Sequence, residues 1–137
     1  MITALIASVA IGAISLEIQN AYVNAPVGAR NITAAYCDIT NDSSEEMVVV
    51  RAAAPWASGI EFHRTSMVDG MSRMRRVDRI TIPGGGTVRL QPGGLHMMVF
   101  GWQPPTLEDR YVEIEVEGRD TVRVPIEVRS LTGSQQR

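Results

Sequence analysis

Apolar and polar residues alternate along much of the chain with a period of two, which is typical of half-buried β-strands. The clearest examples are RYVEIEVE at 110–117 and TVRVPIEV at 121–128, where valine and isoleucine alternate with charged residues. Gly118–Asp120 separates these two segments, so the pattern predicts a β-hairpin. Pro125 lacks a backbone N–H, and we therefore expect it at a sheet edge or a bulge.

The same alternation predicts seven further strands, and no helical periodicity of useful length is present. These strands are expected at 16–22, 32–40, 47–52, 60–64, 74–82, 87–91 and 95–101. Clusters of Asn, Asp, Gly and Pro, such as NDSSEE and QPGG, separate them. Many short strands joined by such turns predict an all-β fold, an antiparallel sandwich or barrel.

Met1 is followed by thirteen uncharged, mostly apolar residues, ITALIASVAIGAI, which are too few to span a bilayer as a helix. We interpret residues 1–13 as a secretory signal; the alternative is a first strand or helical lead-in of the mature domain. Residues 14–130 are then one β-sandwich domain. The polar residues 131–137 are expected to be a flexible tail.

Composition narrows the range of functions. Thirteen basic residues, all arginine, and fifteen acidic residues give a net charge of −2, which provides no general field for binding nucleic acid. One cysteine, Cys37, allows neither an internal disulfide nor a cysteine-based zinc site. No catalytic constellation is present, so we do not expect an enzyme.

Both histidines of the chain stand in one pattern with two methionines: His63, ten residues, Met74, twenty-one residues, His96, one residue, Met98. Thioether sulfur prefers Cu(I), and imidazole also suits copper. His96 and Met98 are two apart on a predicted strand, so their side chains leave the same face, whereas Met97 points the other way. This pattern predicts a Cu(I) site.

The segment from Glu61 to Gly101, including the turns PGGG and PGG, resembles the PCu(A)C family of periplasmic copper(I) chaperones, and the resemblance extends roughly over residues 14–128. It implies a cupredoxin-like sandwich in which His63 and Met74 join His96 and Met98 around one Cu(I). It further implies an exported, monomeric periplasmic protein without membrane insertion. The implied partner is a copper acceptor, a cytochrome c oxidase subunit or an assembly factor for its copper centre.

Two other functions remain open from the sequence. In a metal-free interaction module of the cell envelope, the methionines would only pack. In an electron-transfer cupredoxin, Cys37 would have to join the histidines, but its place among alanines favours a buried thiol. Met67 and Met71 lie between two of the predicted ligands, and either packs, is exposed, or shields or binds the ion.

Overall fold

The computed structural model describes residues 6–9 and 16–130, and this part of the chain is almost entirely β-structure. A short 3₁₀ helix, Leu107–Asp109, precedes the last hairpin. The described strands are β1 Ile6–Val9, β2 Leu16–Ala25, β3 Ile32–Asn41, β4 Met47–Ala53, β5 Gly59–Val68, β6 Met71–Val77, β7 Ile80–Ile82, β8 Thr87–Leu90, β9 Leu95–Phe100, β10 Tyr111–Val116, β11 Val122–Pro125 and β12 Glu127–Ser130.

The strands form two sheets, in agreement with the predicted fold class. The large sheet has the order β1-β2-β3-β9-β5-β6, with β12 also paired to β2 and β8 to β3. The small sheet has the order β11-β10-β4-β7. The ladders are antiparallel apart from the β12–β2 pair, which is parallel. The predicted all-β, antiparallel, cupredoxin-like sandwich is confirmed.

The core lies where the apolar faces of the two sheets meet. Side chains from both sheets contribute, among them Ile18, Ile39, Met97 and Val112, together with the indole of Trp56. The Trp56 Nε1–H donates to the Tyr111 carbonyl oxygen over 2.9 Å, so burial of this large ring leaves no polar atom unsatisfied. The alternation read from the sequence therefore corresponds to the inner and outer faces of real strands.

The predicted C-terminal hairpin is present, and β11 forms one edge of the small sheet. Pro125 therefore lies on an edge strand, as its missing N–H requires. One expectation was wrong: TVRVPIEV is not a single strand. After Pro125 the chain crosses to the large sheet, where β12 pairs with Tyr22–Ala25 of β2.

The single strand predicted over residues 74–82 is also wrong, because the chain changes sheets between Val77 and Ile80. β6 belongs to the large sheet and is mostly exposed, whereas β7 belongs to the small sheet and buries Ile80 and Ile82. β5 and β6 are joined by a two-residue turn. Asp69 and Gly70 both have positive φ, 52° and 78°, as in a type I′ hairpin.

Two predictions concern the ends of the chain. The backbone of Ile6–Val9 pairs with Leu16–Gln19, and most of the predicted signal segment lies outside the described residues. The predicted tail at 131–137 lies outside them as well, so both remain predictions. In the described part of the chain, no helix is long and apolar enough to cross a membrane.

Asn41 is a fully buried polar residue that joins two turns. Its side-chain amide donates to the carbonyl oxygens of Glu45 and Ile82 over 2.7 and 3.0 Å, and its Oδ1 accepts from Ser43. Its backbone also bonds to Gly85 and Gly86 of the PGGG turn. The side chain thereby fixes the β3–β4 turn against the end of β7.

We expect Asn41→Ala to lower the free energy of unfolding by about 2–4 kcal/mol, because the Ile82 carbonyl oxygen loses a buried donor and the turn loses the side-chain bonds of Asn41 to Glu45 and Ser43. Urea denaturation provides the measurement. Thr40→Ala is the matched control, since its neighbouring hydroxyl bonds to Thr87 at an exposed site and should cost under about 1 kcal/mol. Equal losses in the two variants would contradict this role for Asn41.

Candidate metal centre

His63 and His96 face each other across two neighbouring strands of the large sheet. They are direct register partners on β5 and β9, and their ring centroids are 6.0 Å apart. Their sequence neighbours Phe62 and Met97 also pair with each other, but on the buried side of the sheet. Both imidazoles therefore lie on the outer face of the large sheet, and Met97 points into the core as predicted.

The His96 ring is fixed by a backbone carbonyl. Its Nδ1 lies 3.0 Å from the carbonyl oxygen of Gly94, and only 5% of the residue is exposed. A carbonyl oxygen can only accept a hydrogen bond, so Nδ1 carries the proton of the neutral ring. The lone pair of His96 is consequently on Nε2, the nitrogen that remains free to bind a metal.

The His63 ring is fixed by a carboxylate. Its Nε2 lies 2.9 Å from Oε1 of Glu61, so Nε2–H donates to this oxygen. Arg76 Nη1 lies 3.9 Å from the other oxygen of Glu61. The remaining nitrogen, Nδ1 of His63, is buried and has no hydrogen-bond partner among the described residues. An unsatisfied buried nitrogen requires an explanation, and an unshared lone pair is what a metal ligand needs.

The two predicted thioether ligands lie on the same face, on either side of the histidine pair. Met98 pairs with Glu61, and Met74 pairs with Thr65; both partners are two residues from His63 on β5. Each methionine is thus a diagonal neighbour of His63, at a Cβ separation of about 7–8 Å that long side chains can bridge. The register supports a site centred on His63.

The strand register also gives the position of the four predicted ligands in the sandwich. The four residues lie on the outer face of the large sheet, close to the residue at which β9 begins. Beyond Thr65, whose N–H donates to the Gly94 carbonyl, the β5–β6 hairpin extends past the start of β9. Met74 is on this projecting hairpin and is 49% exposed.

Sequence reasoning missed the groups that hold the two rings. Glu61 and Gly94 each stand two residues before the histidine that they orient. Glu61 shares a face of β5 with His63, whereas Gly94 directly precedes β9 and acts through its backbone carbonyl. This i−2 spacing was readable in EFH and GLH. Tyr36 was also missed; its ring lies 6.4 Å from that of His96 and 5.1 Å from that of Tyr22. Burial, and then the neighbouring Tyr22, raises the pKa of Tyr36.

The donor atoms available on this face determine which type of metal ion it could bind. Within residues 6–9 and 16–130, no group of three or more His, Cys, Asp and Glu side chains could hold a metal ion. Donors that can complete a shell around the two imidazoles are the thioethers of Met74 and Met98, which are soft ligands.

Comparison with known proteins places the chain in a family. Residues 16–129 match the model of the family described as "Putative lipoprotein LpqE-like". The chain belongs to the LpqE-like family. A curated relative, "Putative lipoprotein Lxx21020" of Leifsonia xyli subsp. xyli (strain CTCB07), is 28% identical over 124 residues, covering 88% of this chain and 74% of the relative.

Solved structures extend the comparison for this LpqE-like chain. The copper-bound PCuAC domain from PmoF2 is 16% identical, with a TM-score of 0.69 over 87% of this chain and 97% of that one. CuI-DR1885 from Deinococcus radiodurans is 33% identical over 80% of this chain and 75% of that one, and the apo form is 29% identical; both have a TM-score of 0.61. The resemblance to the PCu(A)C family predicted from the sequence is confirmed.

Cys37 of the LpqE-like chain lies on the opposite side of the sheet from the histidines. It is a free, buried thiol in β3, and its register partner in β8 is Leu90, which is also buried. Burial, and secondarily the nearby charge of Asp38, raises the pKa of Cys37 to about 12. A blue-copper site that joins Cys37 to the histidines is incompatible with this arrangement.

We expect Cys37 to react with a thiol reagent at pH 8 far more slowly in the native protein than in denaturant, because the reactive thiolate is suppressed by burial. Raising the pKa in the folded state also means that the unfolded chain deprotonates first. Stability should therefore fall as pH rises from about 8.5, the ordinary cysteine value, towards about 12. Cys37→Ala should remove the part of this pH dependence of stability that the thiol contributes. Fast labelling of Cys37 in the native protein would contradict its assignment as a buried thiol.

Proposed function

We propose that this protein is a copper(I) carrier of the cell envelope that binds one Cu(I) through His63, Met74, His96 and Met98. One observation carries the proposal: the buried Nδ1 of His63 has no hydrogen-bond partner among the described residues, beside a second imidazole whose Nε2 is left free. A buried nitrogen without a hydrogen-bond partner is costly to maintain unless an ion uses its lone pair.

The donor set favours Cu(I) over other ions. Two neutral imidazoles and two neutral thioethers form a soft site that adds no formal charge, which suits a monovalent soft cation. Proteins of the same fold support this choice, because one of them is described as a copper-bound PCuAC domain and another as CuI-DR1885. The second of these is 33% identical to this chain.

The groups around the histidines would tune the site without touching the ion. Glu61 accepts from Nε2–H of His63, and Gly94 accepts from Nδ1–H of His96; such contacts orient a ring and raise its basicity. The Glu61 carboxylate also places a negative charge near the ion. Because no ligand of a neutral site must gain or lose a proton, release requires only ligand exchange.

The acceptor and the location follow from the resemblance. PCu(A)C-like chaperones imply delivery to a cytochrome c oxidase subunit or an assembly factor, in the periplasm after export. The lipoprotein names of the family and of the curated relative support a place in the envelope. We propose a monomeric, non-enzymatic carrier that acts on no nucleic acid and does not insert into a membrane.

Cu(I) titration in competition with a chromogenic chelator tests the metal site. Wild-type protein should bind one equivalent, and alanine in place of any one of the four ligands should weaken binding by about tenfold or more. Met71→Ala is the matched control, because Met71, like Met74, is an exposed methionine of β6 but lies on the other face of the hairpin.

Three outcomes would count against this function. A wild type that binds no Cu(I) would favour the metal-free interaction module. Intense thiolate-to-copper absorption with Cu(II), lost in Cys37→Ala, would favour electron transfer. Binding that is unchanged in all four alanine variants would place the copper elsewhere.

A further inference from the structure

The β5–β6 hairpin carries a third methionine on the face of the metal centre. Met67 is four residues after His63 on β5, so both side chains leave the strand on the same face. Met67 pairs with Ser72, and Met74 pairs with Thr65, which makes Met67 and Met74 diagonal neighbours across the hairpin. Their Cβ atoms are therefore about 7–8 Å apart.

The remaining hairpin methionine, Met71, lies on the reverse face. Met71 pairs with Val68, and the next pair along the hairpin is Met67 with Ser72. Successive pairs point to opposite faces, so Met71 and Met67 lie on opposite faces of the hairpin. The reverse face also carries Arg64 opposite Arg75. The sequence alone did not distinguish Met67 from Met71. The strand register does, because it puts Met67 on the face of the histidines and Met71 on the reverse face.

Donor atoms on the site face form a row that leads from the buried centre to the hairpin tip. Exposure increases along it: His96 is 5% exposed, the His63 side chain 16%, Met74 49% and Met67 68%. Each residue is a direct or diagonal cross-strand neighbour of the next. A soft ion could therefore move outwards by exchanging one neighbouring donor at a time.

We propose that Met67 is a further Cu(I)-binding residue, the outermost donor, which holds the ion during loading and release. This inference rests on the proposed function and adds a residue outside the four-point pattern. In release, Sδ of Met67 forms a bond to Cu(I) as the bond to Nε2 of His96 breaks. No electron or proton moves, and the ion keeps its single positive charge until a thiolate acceptor takes it.

The position of Met67 fits transport better than packing. Its side chain is 68% exposed in the part of the hairpin that extends past the start of β9, so it fills no core. An exposed thioether there gains little from burial, yet it stands next to Met74 at the end of the donor row. At the tip it can reach an incoming partner, which His96 in its buried position cannot.

Stopped-flow transfer of Cu(I) to a chromogenic chelator separates this role from that of a permanent ligand. Met67→Leu should slow loading and release about tenfold, the effect of losing one transition-state contact of ordinary strength. The equilibrium affinity should change by less than about twofold, because Met67 is not in the resting shell. Met67→His, which restores a soft-metal donor, should recover most of the rate.

Met71→Leu is the matched control, since it removes an equally exposed thioether from the reverse face of the same hairpin. Its transfer rates should equal those of the wild type. Equal rates in Met67→Leu and wild type, with normal Cu(I) affinity, would overturn the role of Met67 and leave the four-ligand site intact. A large loss of affinity in Met67→Leu would also overturn it, since Met67 would then be a resting ligand. A wild type that binds no Cu(I) would instead refute the carrier function.

Discussion

The register between β5 and β9 is the constraint on which the proposed metal centre depends. This register puts His63 directly opposite His96 and, one residue earlier on β5, puts Phe62 opposite Met97 in the core. A slip of one residue would exchange the two faces, burying an imidazole and exposing a large apolar side chain. The hydrophobic effect acting on the inner face therefore sets the distance between the two imidazoles on the outer face.

Hydrogen bonds then fix the orientation of the two adjacent imidazole rings, and with it the direction of their lone pairs. Each histidine donates from one ring nitrogen to an acceptor two residues earlier in the sequence, Glu61 for His63 and Gly94 for His96. The other nitrogen is left for the ion. The buried Nδ1 of His63 illustrates the energetic consequence, because an unsatisfied buried polar atom costs about 1–3 kcal/mol. Binding of a cation would recover this cost, so that stability and copper loading should be coupled.

Strong alternation made much of the fold readable from the sequence. Val112, Ile114 and Val116 of β10 alternate cleanly with glutamates, and the hairpin that they predicted is present. The two strands that were predicted wrongly have physical explanations. β6 is exposed on both faces and its sequence MSRMRRV has no period of two, so its bounds and the break before β7 could not be predicted. Pro125 lies on the edge strand β11 as expected, but the end of this strand at Pro125 and the crossing to the other sheet depend on tertiary structure and could not be predicted.

The candidate site was readable in part. Spacing alone placed His96 and Met98 on one face, and the resemblance joined His63 and Met74 to them. Pairing between distant strands is absent from a single sequence, so neither the histidine contact nor the separation of Met67 from Met71 could be derived. The orienting roles of Glu61 and Gly94 likewise required coordinates, although their spacing in the sequence was a usable signal.

X-ray absorption spectroscopy of the Cu(I)-loaded protein tests the central claim most directly, because it counts the nitrogen and sulfur donors around the ion. Two nitrogen and two sulfur scatterers are predicted for the wild type, with one nitrogen lost in His63→Ala. A shell without sulfur, or one that His63→Ala leaves unchanged, would contradict the account.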